Sequence, residues 1–458
     1  MLIRSIGLTL SLAAACLLSG VPATAQQLLR DAETEWFLHE ITDPLLEAGG
    51  LNPSGVAIFL LSDRTINAFV PGRGQVIVVH AGLLLQLDSI DEVKGIMAHE
   101  TGHITGAHAA RFSEGFSQAT GYTLLGLLLG AAAIAAGAPD AGIGLLLGGQ
   151  SVGQRAFLRY RRVQESSADQ AAVEFLEKAG VSGKGLISVF SQFAESELAV
   201  GASRFEYVIT HPLSSRRVQL LEDRLQRQSH WNTPPDAEHQ RLFERIKAKL
   251  YGFVYPPTAT LAQYPLSDTS IKARYARVYA FNKALELDRA LDEARVLMSL
   301  EPNNPYFHEI YGQILFENGR VDEALPPLKT AANLAPHQPL LNTLVGRALV
   351  AKDTPDTDKE AVDYLRRATA LDPYDTFAWY NLGIVYTRQG EEGLARLAAA
   401  ERAYITAQFA PAFHTARAAM ELLEEGTPNW RRAQDIASAS QWLVDDTDDL
   451  ARPRPRRR

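Results

Sequence analysis

Three prolines impose a period on the C-terminal part of this 458-residue chain. Pro302, Pro336 and Pro373 each close a Leu-x-Pro and stand 34 and 37 residues apart, and Gly312, Gly346 and Gly383 repeat the same two intervals. Two residue types sharing one period indicate stacked helical units, because a helix pair that cannot bury its apolar face alone buries it on its neighbour. The three extra residues fall in the polar stretch Asp353–Lys359, where a loop absorbs them. Ala324 and Ala331, then Ala361 and Ala368, take matching positions where helices must approach closely; Trp379, Leu382, Gly383, Tyr386 and Ala395 fill the next unit. The frame gives units at 305–338, 339–375 and 376–410, with a degenerate one before them and helices after.

This grammar resembles the tetratricopeptide repeat, and the resemblance implies a concave superhelix that grips peptides or partner proteins. Residues 30–250 read differently. Val56–Leu61 and Val76–Val79 are short apolar, β-branched runs separated by a stretch with Pro71, Gly72 and Gly74, which predicts two strands. Ser89-Ile90-Asp91-Glu92 has the form of a capping box, so a helix is expected from Ile90 to about Phe112. The fold class expected is α+β, mainly α: a domain with a small sheet, followed by an α-solenoid. The boundaries expected are 1–25, 26–265, 266–440 and a disordered tail at 441–458.

Hydrophobic residues at 46% and charged residues at 21% describe a globular chain, and a net charge of −8 argues against coating nucleic acid. The first residues carry one positive charge, Arg4, an apolar run from Ile6 to Leu18, and Ala23-Thr24-Ala25 at a small-residue cleavage site, the pattern of an export signal cut before Gln26. Cleavage would remove the single cysteine, Cys16, together with Arg4, leaving 44 − 53 = −9 and no thiol. A disulfide framework and cysteine-ligated metal sites are thereby excluded.

The chemistry concentrates in His99-Glu100-Thr101-Gly102-His103. Two histidines four apart on a helix project from one face and can meet one zinc ion, with the adjacent glutamate placed to activate water. A catalytic zinc takes three protein ligands, so a third must come from elsewhere. Glu165 and Asp169 lie one turn apart in a helical stretch expected from about Ala156 to Ala179; one can reach the metal while the other orients a histidine ring.

AHETGHITGAH, with ESSAD downstream, NAF-x-PG upstream and THPLSSRR afterwards, is similar to the periplasmic HExxH metallopeptidases with C-terminal tetratricopeptide repeats, the beta-barrel assembly-enhancing protease type. The likeness covers essentially the whole mature chain. It implies a zincin-like metallopeptidase domain ahead of the repeats, with one zinc ion per chain held by His99, His103 and Glu165, Glu100 as general base and Asp169 as the orienting partner. It also places His211 near the metal, as a hydrogen-bond donor to substrate and transition state or as an extra ligand that keeps the enzyme latent. Arg217 stands at the family's arginine position, where it would bond the site's carboxylates or an oxyanion. His108 lies five residues beyond His103, about 140° around a continuous helix, and so is expected off the ligand face in a structural role. An edge strand near Asn67-Ala68-Phe69 and Gln75–Val79 would take substrate in extended form.

Tyr122–Gly149 is almost entirely Leu, Ala, Ile and Gly, interrupted at Pro139-Asp140. Its arms are short for a bilayer span, so a hairpin beside the active site that rests on a membrane is expected. The chain ends in Arg452-Pro-Arg-Pro-Arg-Arg-Arg458, expected to be solvated. The function these features imply is a periplasmic zinc metalloendopeptidase. The resemblance further implies substrates among unfolded or misassembled envelope proteins and contact with the outer-membrane barrel assembly complex. The rival reading is a repeat-based chaperone or scaffold with a latent metal site.

Overall fold

The computed structural model describes residues 28–72, 75–135, 139–199 and 206–451, so the expected export signal and residues 452–458 lie outside the described residues. A four-stranded sheet has the order β1 (Leu28–Leu29), β2 (Ala57–Leu61), β4 (Val76–His80), β3 (Ala68–Phe69). β2 and β4 run parallel with Ala57 opposite Val76, and β1 and β3 flank them antiparallel. Both apolar runs are therefore strands, but β4 lies inside the sheet; the edge is the two-residue β3.

Nine helices of the described residues belong to the same part of the chain as the sheet: α1 (Ala32–Ala48), α2 (Ala81–Gln86), α3 (Ile90–Thr105), α4 (His108–Ala135), α5 (Pro139–Lys178), α6 (Lys184–Ala199), α7 (Glu206–Thr210), α8 (Ser215–Leu225) and α9 (Ala237–Val254). The capping box is formed: Ser89 Oγ accepts from the Asp91 N–H (3.3 Å), and Glu92 Oε2 accepts from the Ser89 N–H (3.2 Å). The helix it starts is shorter than expected. It stops at Thr105 instead of near Phe112, because Gly106 ends it and Ala107 turns left-handed (φ 50°) before α4 begins. The helix carrying Glu165 is longer than expected. It starts at Pro139, so the second arm of the apolar insert and the Glu165–Asp169 segment are one 40-residue rod. Its partner arm is α4, and the two form an antiparallel hairpin.

From α10 (Pro257–Gln263) the chain forms antiparallel helix pairs. They are α11 (Ile271–Lys283) with α12 (Leu287–Leu300), α13 (Pro305–Glu317) with α14 (Val321–Leu334), α15 (Pro339–Lys352) with α16 (Pro355–Leu371), α17 (Thr376–Arg388) with α18 (Glu392–Ile405), and α19 (Phe409–Met420) with α20 (Pro428–Ala451). The middle three pairs are the three periodic units. A Cβ on Gly312 would meet Leu328 at 2.6 Å and one on Gly346 would meet Leu365 at 2.5 Å, so glycine is required at both helix crossings. Ala324, Ala331, Ala361 and Ala368 are buried at the positions the period assigned to small residues. The expected tail from 441 is corrected in part, because α20 continues to Ala451.

Three apolar cores form among the described residues. One joins the sheet to α1, α3, α6, α8 and α9, a second runs through the repeats, and a smaller third around Ala400, Ala416 and Ala433 closes the last helices; Trp36 packs against the first two. Charges fasten the seam. Lys249 meets Asp31 at 2.6 Å, Arg245 meets Glu33 at 2.5 Å and Glu301 at 3.2 Å, and Arg30 reaches across to Asp372 at 2.7 Å. Breaking one partner of the buried Lys249 or Arg245 pairs would strand a charge, at a cost of about 3–5 kcal/mol.

Candidate metal centre

His99 and His103 leave the same face of α3, four residues apart, and both are buried. The opposing rod α5 brings Glu165 and Asp169 to that face, and the approach depends on Gly102. A Cβ there would stand 2.7 Å from the Ala168 carbonyl oxygen and 2.9 Å from its Cα. The turn between α7 and α8 adds His211.

Four ligand-type atoms converge from His99, His103, Glu165 and His211, all within 4.8 Å of one another. His99 Nε2 lies 3.1 Å from His103 Nε2, 3.4 Å from His211 Nδ1 and 3.5 Å from Glu165 Oε2; His103 Nε2 lies 3.6 Å from Glu165 Oε1, and His211 Nδ1 lies 3.2 Å from it. A tetrahedral ion with bonds of about 2.0–2.1 Å has ligand atoms about 3.3–3.4 Å apart, so these donors fit one zinc-sized cation. The charges fit as well. Glu100, Glu165 and Asp169 are buried around the convergence point and the partly buried Arg217 pairs with Glu165 and Asp169, a concentration of carboxylates that suits a cation.

The donors are held from behind. Asp169 Oδ1 lies 3.1 Å from His99 Nδ1. Arg217 donates from Nε and Nη2 to Asp169 (2.6 and 2.7 Å), and its Nη1 lies 3.0 Å from Glu165. His108 was expected off the ligand face, and it is not among the converging four. The break at Gly106-Ala107 nevertheless swings it back, so that its Nδ1 meets His103 Nδ1 at 3.0 Å. A continuous helix would not allow this contact. Tyr207 carried no sequence signal, yet its ring stacks on His211 with centroids 4.5 Å apart, and its N–H donates to the Ile66 carbonyl next to β3.

Burial opposes charging of His99, but Asp169 and Glu165 outweigh it and raise the imidazole to about 9, a field that favours a cation at this point. Burial also pushes Glu165 upward, and His211 and His99 overcome it, holding the carboxylate well below its ordinary range. Glu100 is different. Burial raises its pKa more than the neighbouring His211 and His99 lower it, and neither of its oxygens has a hydrogen-bond partner among the described residues. A buried, unbonded carboxylate beside a cation site is poised to take a proton.

The sequence of residues 32–225 matches the model of peptidase family M48. The chain is a metalloprotease whose peptidase domain is similar to that family. The chain is 24% identical over 411 residues to a putative beta-barrel assembly-enhancing protease of Vibrio cholerae, covering 88% of this chain and 83% of that one. It is 25% identical over 329 residues to the beta-barrel assembly-enhancing protease of Escherichia coli K12, covering 70% of this chain and 65% of that protein. The metalloprotease YcaL of the same organism is 27% identical over 177 residues, 38% of this chain and 63% of that one. Among solved structures, the tetratricopeptide protein YrrB aligns with 38% of this chain and 91% of its own length at 20% identity, with a TM-score of 0.32.

Proposed function

We propose that this protein is an exported zinc metalloendopeptidase of the bacterial envelope that acts on unfolded or misassembled outer-membrane proteins. The observation that carries the hydrolytic part is the unbonded Glu100 carboxylate beside four converging donor atoms. A site kept for structure needs ligands but no base. His99, His103 and Glu165 would hold the ion, with Asp169 and Arg217 fixing His99 and Glu165. A bound zinc would polarise the scissile carbonyl and make water acidic enough to attack near neutral pH. Glu100 takes the proton of the attacking water and passes it to the leaving amine.

His211 has two roles open to it, and its position favours the inhibitory one. Its Nδ1 faces the convergence point while its Nε2 lies 3.5 Å from Glu100 Oε1, so in this conformation it stands between the base and any substrate. The free enzyme is then latent, and a client that displaces His211 opens the site.

The names of the relatives support envelope clients and a link to barrel assembly, and the export signal expected at 1–25 supports the periplasm. The proposed division places the peptidase at 26–265 and the repeats at 266–440, in line with the two cores meeting at Trp36. Between β1 and the repeats lies a cleft of about 700 Å³ lined by Arg347, Tyr374 and Phe377, which would receive an extended client segment. No nucleic-acid role is proposed. Glu100→Gln tests the reading: the variant should retain one zinc per chain by elemental analysis and lose digestion of casein or an unfolded barrel protein. Undiminished digestion, or purified protein without zinc, would refute it and leave the scaffold reading.

A further inference from the structure

The α4–α5 hairpin is built inside out. In a water-soluble helix pair large apolar side chains meet between the helices and small or polar ones face solvent. Here Gly126 and Gly130 are buried, while Leu124, Leu125, Leu127, Leu128, Leu145 and Leu147 are exposed, Leu128 by 66% and Leu147 by 63%. The helices touch through glycine: a Cβ on Gly126 would stand 2.5 Å from the Gly149 Cα, and the converse holds. Backbones packed closely through small residues, with leucines outward, suit a hydrocarbon solvent, in which packing cannot rely on expelling water. In water, an outward leucine surface of this extent is unfavourable unless something covers it.

The length and the charges say what covers it. Between Glu114 and Arg155 the sequence has a single charge, Asp140. From Tyr122 to the end of α4 at Ala135 the apolar arm is about 20 Å long at ~1.5 Å per residue. That exceeds one leaflet of a ~30 Å hydrocarbon core and falls short of two. No helix of the described residues is long and apolar enough to cross a membrane. At the base, Arg155, Arg159 and Arg162 follow at intervals of four and three, hence on one stripe of α5, all exposed and without a carboxylate partner among the described residues. An apolar tip long enough to fill one leaflet and too short to cross both, with a stripe of free guanidinium groups at its base, complements an acyl layer under anionic phosphate headgroups.

We propose that the α4–α5 hairpin inserts into one leaflet of an anionic phospholipid membrane, with Arg155, Arg159 and Arg162 at the headgroups. Glu165 lies one turn beyond Arg162 on the same rod, so insertion holds the metal centre just above the lipid surface, facing chains that emerge from or fail to enter it. The inference concerns membrane binding alone and stands independently of hydrolysis.

Flotation of the purified chain with phosphatidylethanolamine vesicles containing phosphatidylglycerol tests it. The protein should float with these vesicles, and removing the anionic lipid or adding salt should weaken binding. Leu125→Gln, Leu128→Gln and Leu147→Gln combined should lower partition roughly tenfold or more, with thermal unfolding unchanged because these side chains contact solvent. Each of Arg155→Gln, Arg159→Gln and Arg162→Gln should cost roughly fivefold, on anionic vesicles only. A tryptophan at Leu128→Trp should shift to shorter emission wavelength with vesicles. Protein remaining unfloated, or the triple leucine variant floating like the parent, would overturn the proposal. So would a lipid-independent dimer that the leucine variant dissociates, since a second copy would then cover the surface.

Discussion

Gly102 and Ala168 bring the two halves of the candidate metal centre together. The Cα of Gly102 lies so close to the Ala168 carbonyl that a methyl group would stand 2.7 Å from its oxygen. His99 and His103 sit on one side of this contact and Glu165 and Asp169 on the other. Gly102→Val should therefore force α3 and α5 apart, costing about 1–3 kcal/mol as overpacking and lowering zinc content together with activity. Elemental analysis and a thermal melt check it; full metal occupancy in the variant would contradict the close-approach argument.

Arg217 is the one cation facing Asp169 and Glu165 from α8. Arg217→Gln removes the guanidinium paired with two buried carboxylates and leaves them to His99 and His211, and should destabilise the metal-free protein by about 3 kcal/mol, measurable in denaturant. Arg217→Lys should restore only part of this, because a single ammonium cannot make the paired bonds to both Asp169 oxygens.

His108→Ala should weaken zinc binding by about 10–100-fold without abolishing it, since His108 supports the far nitrogen of His103 and donates nothing to the convergence point. Competition with a zinc-chelating dye reads this directly. Unchanged affinity would return His108 to a purely structural role.

A pH dependence resides at the seam between the cores. Burial raises Glu309 to about 8 against the pull of Lys249, and Asp31, Glu33 and Glu35 add to the rise. A carboxyl group whose folded pKa is raised contributes stability that is complete below its unfolded pKa, ~4.5, and lost as pH climbs through about 8. Glu309→Gln, which cannot ionise, should gain stability relative to the parent between pH 5 and pH 9. Urea melts across that range check it, and a difference independent of pH would count against it.

The repeat glycines should differ. Gly312→Ala would drive its Cβ to 2.6 Å from Leu328, a loss of about 1–3 kcal/mol, whereas a Cβ at Gly383 finds nothing nearer than Ala398 at 3.8 Å. Gly383→Ala should therefore be neutral or stabilise the helix by up to ~1 kcal/mol. Paired thermal melts distinguish the two.

Much of this was legible along the chain. The period marked by Pro302, Pro336 and Pro373 placed the helix pairs, because units that repeat must present the same small residues where they touch. Ser89 and Glu92 placed the start of the metal helix, and the four-residue spacing of His99 and His103 placed them on one face. What failed was local continuity. Ala107 looked compatible with helix, and its left-handed turn follows from Gly106 ending α3 and from His108 finding a partner in His103.

Sequence by itself determined the residues whose relationships are short in range: the paired histidines with Glu100, the repeat frame, and the apolar composition of the insert. Only tertiary structure decided the contacts that close across the fold: Glu165 and His211 on one point with the two histidines, Arg217 on Asp169, Tyr207 on His211, and leucines turned outward from a glycine seam. Periodicity fixes which face of its own helix a residue occupies, whereas what that face meets depends on helices more than forty residues away whose approach distance is set by the absence of a single methyl group at Gly102.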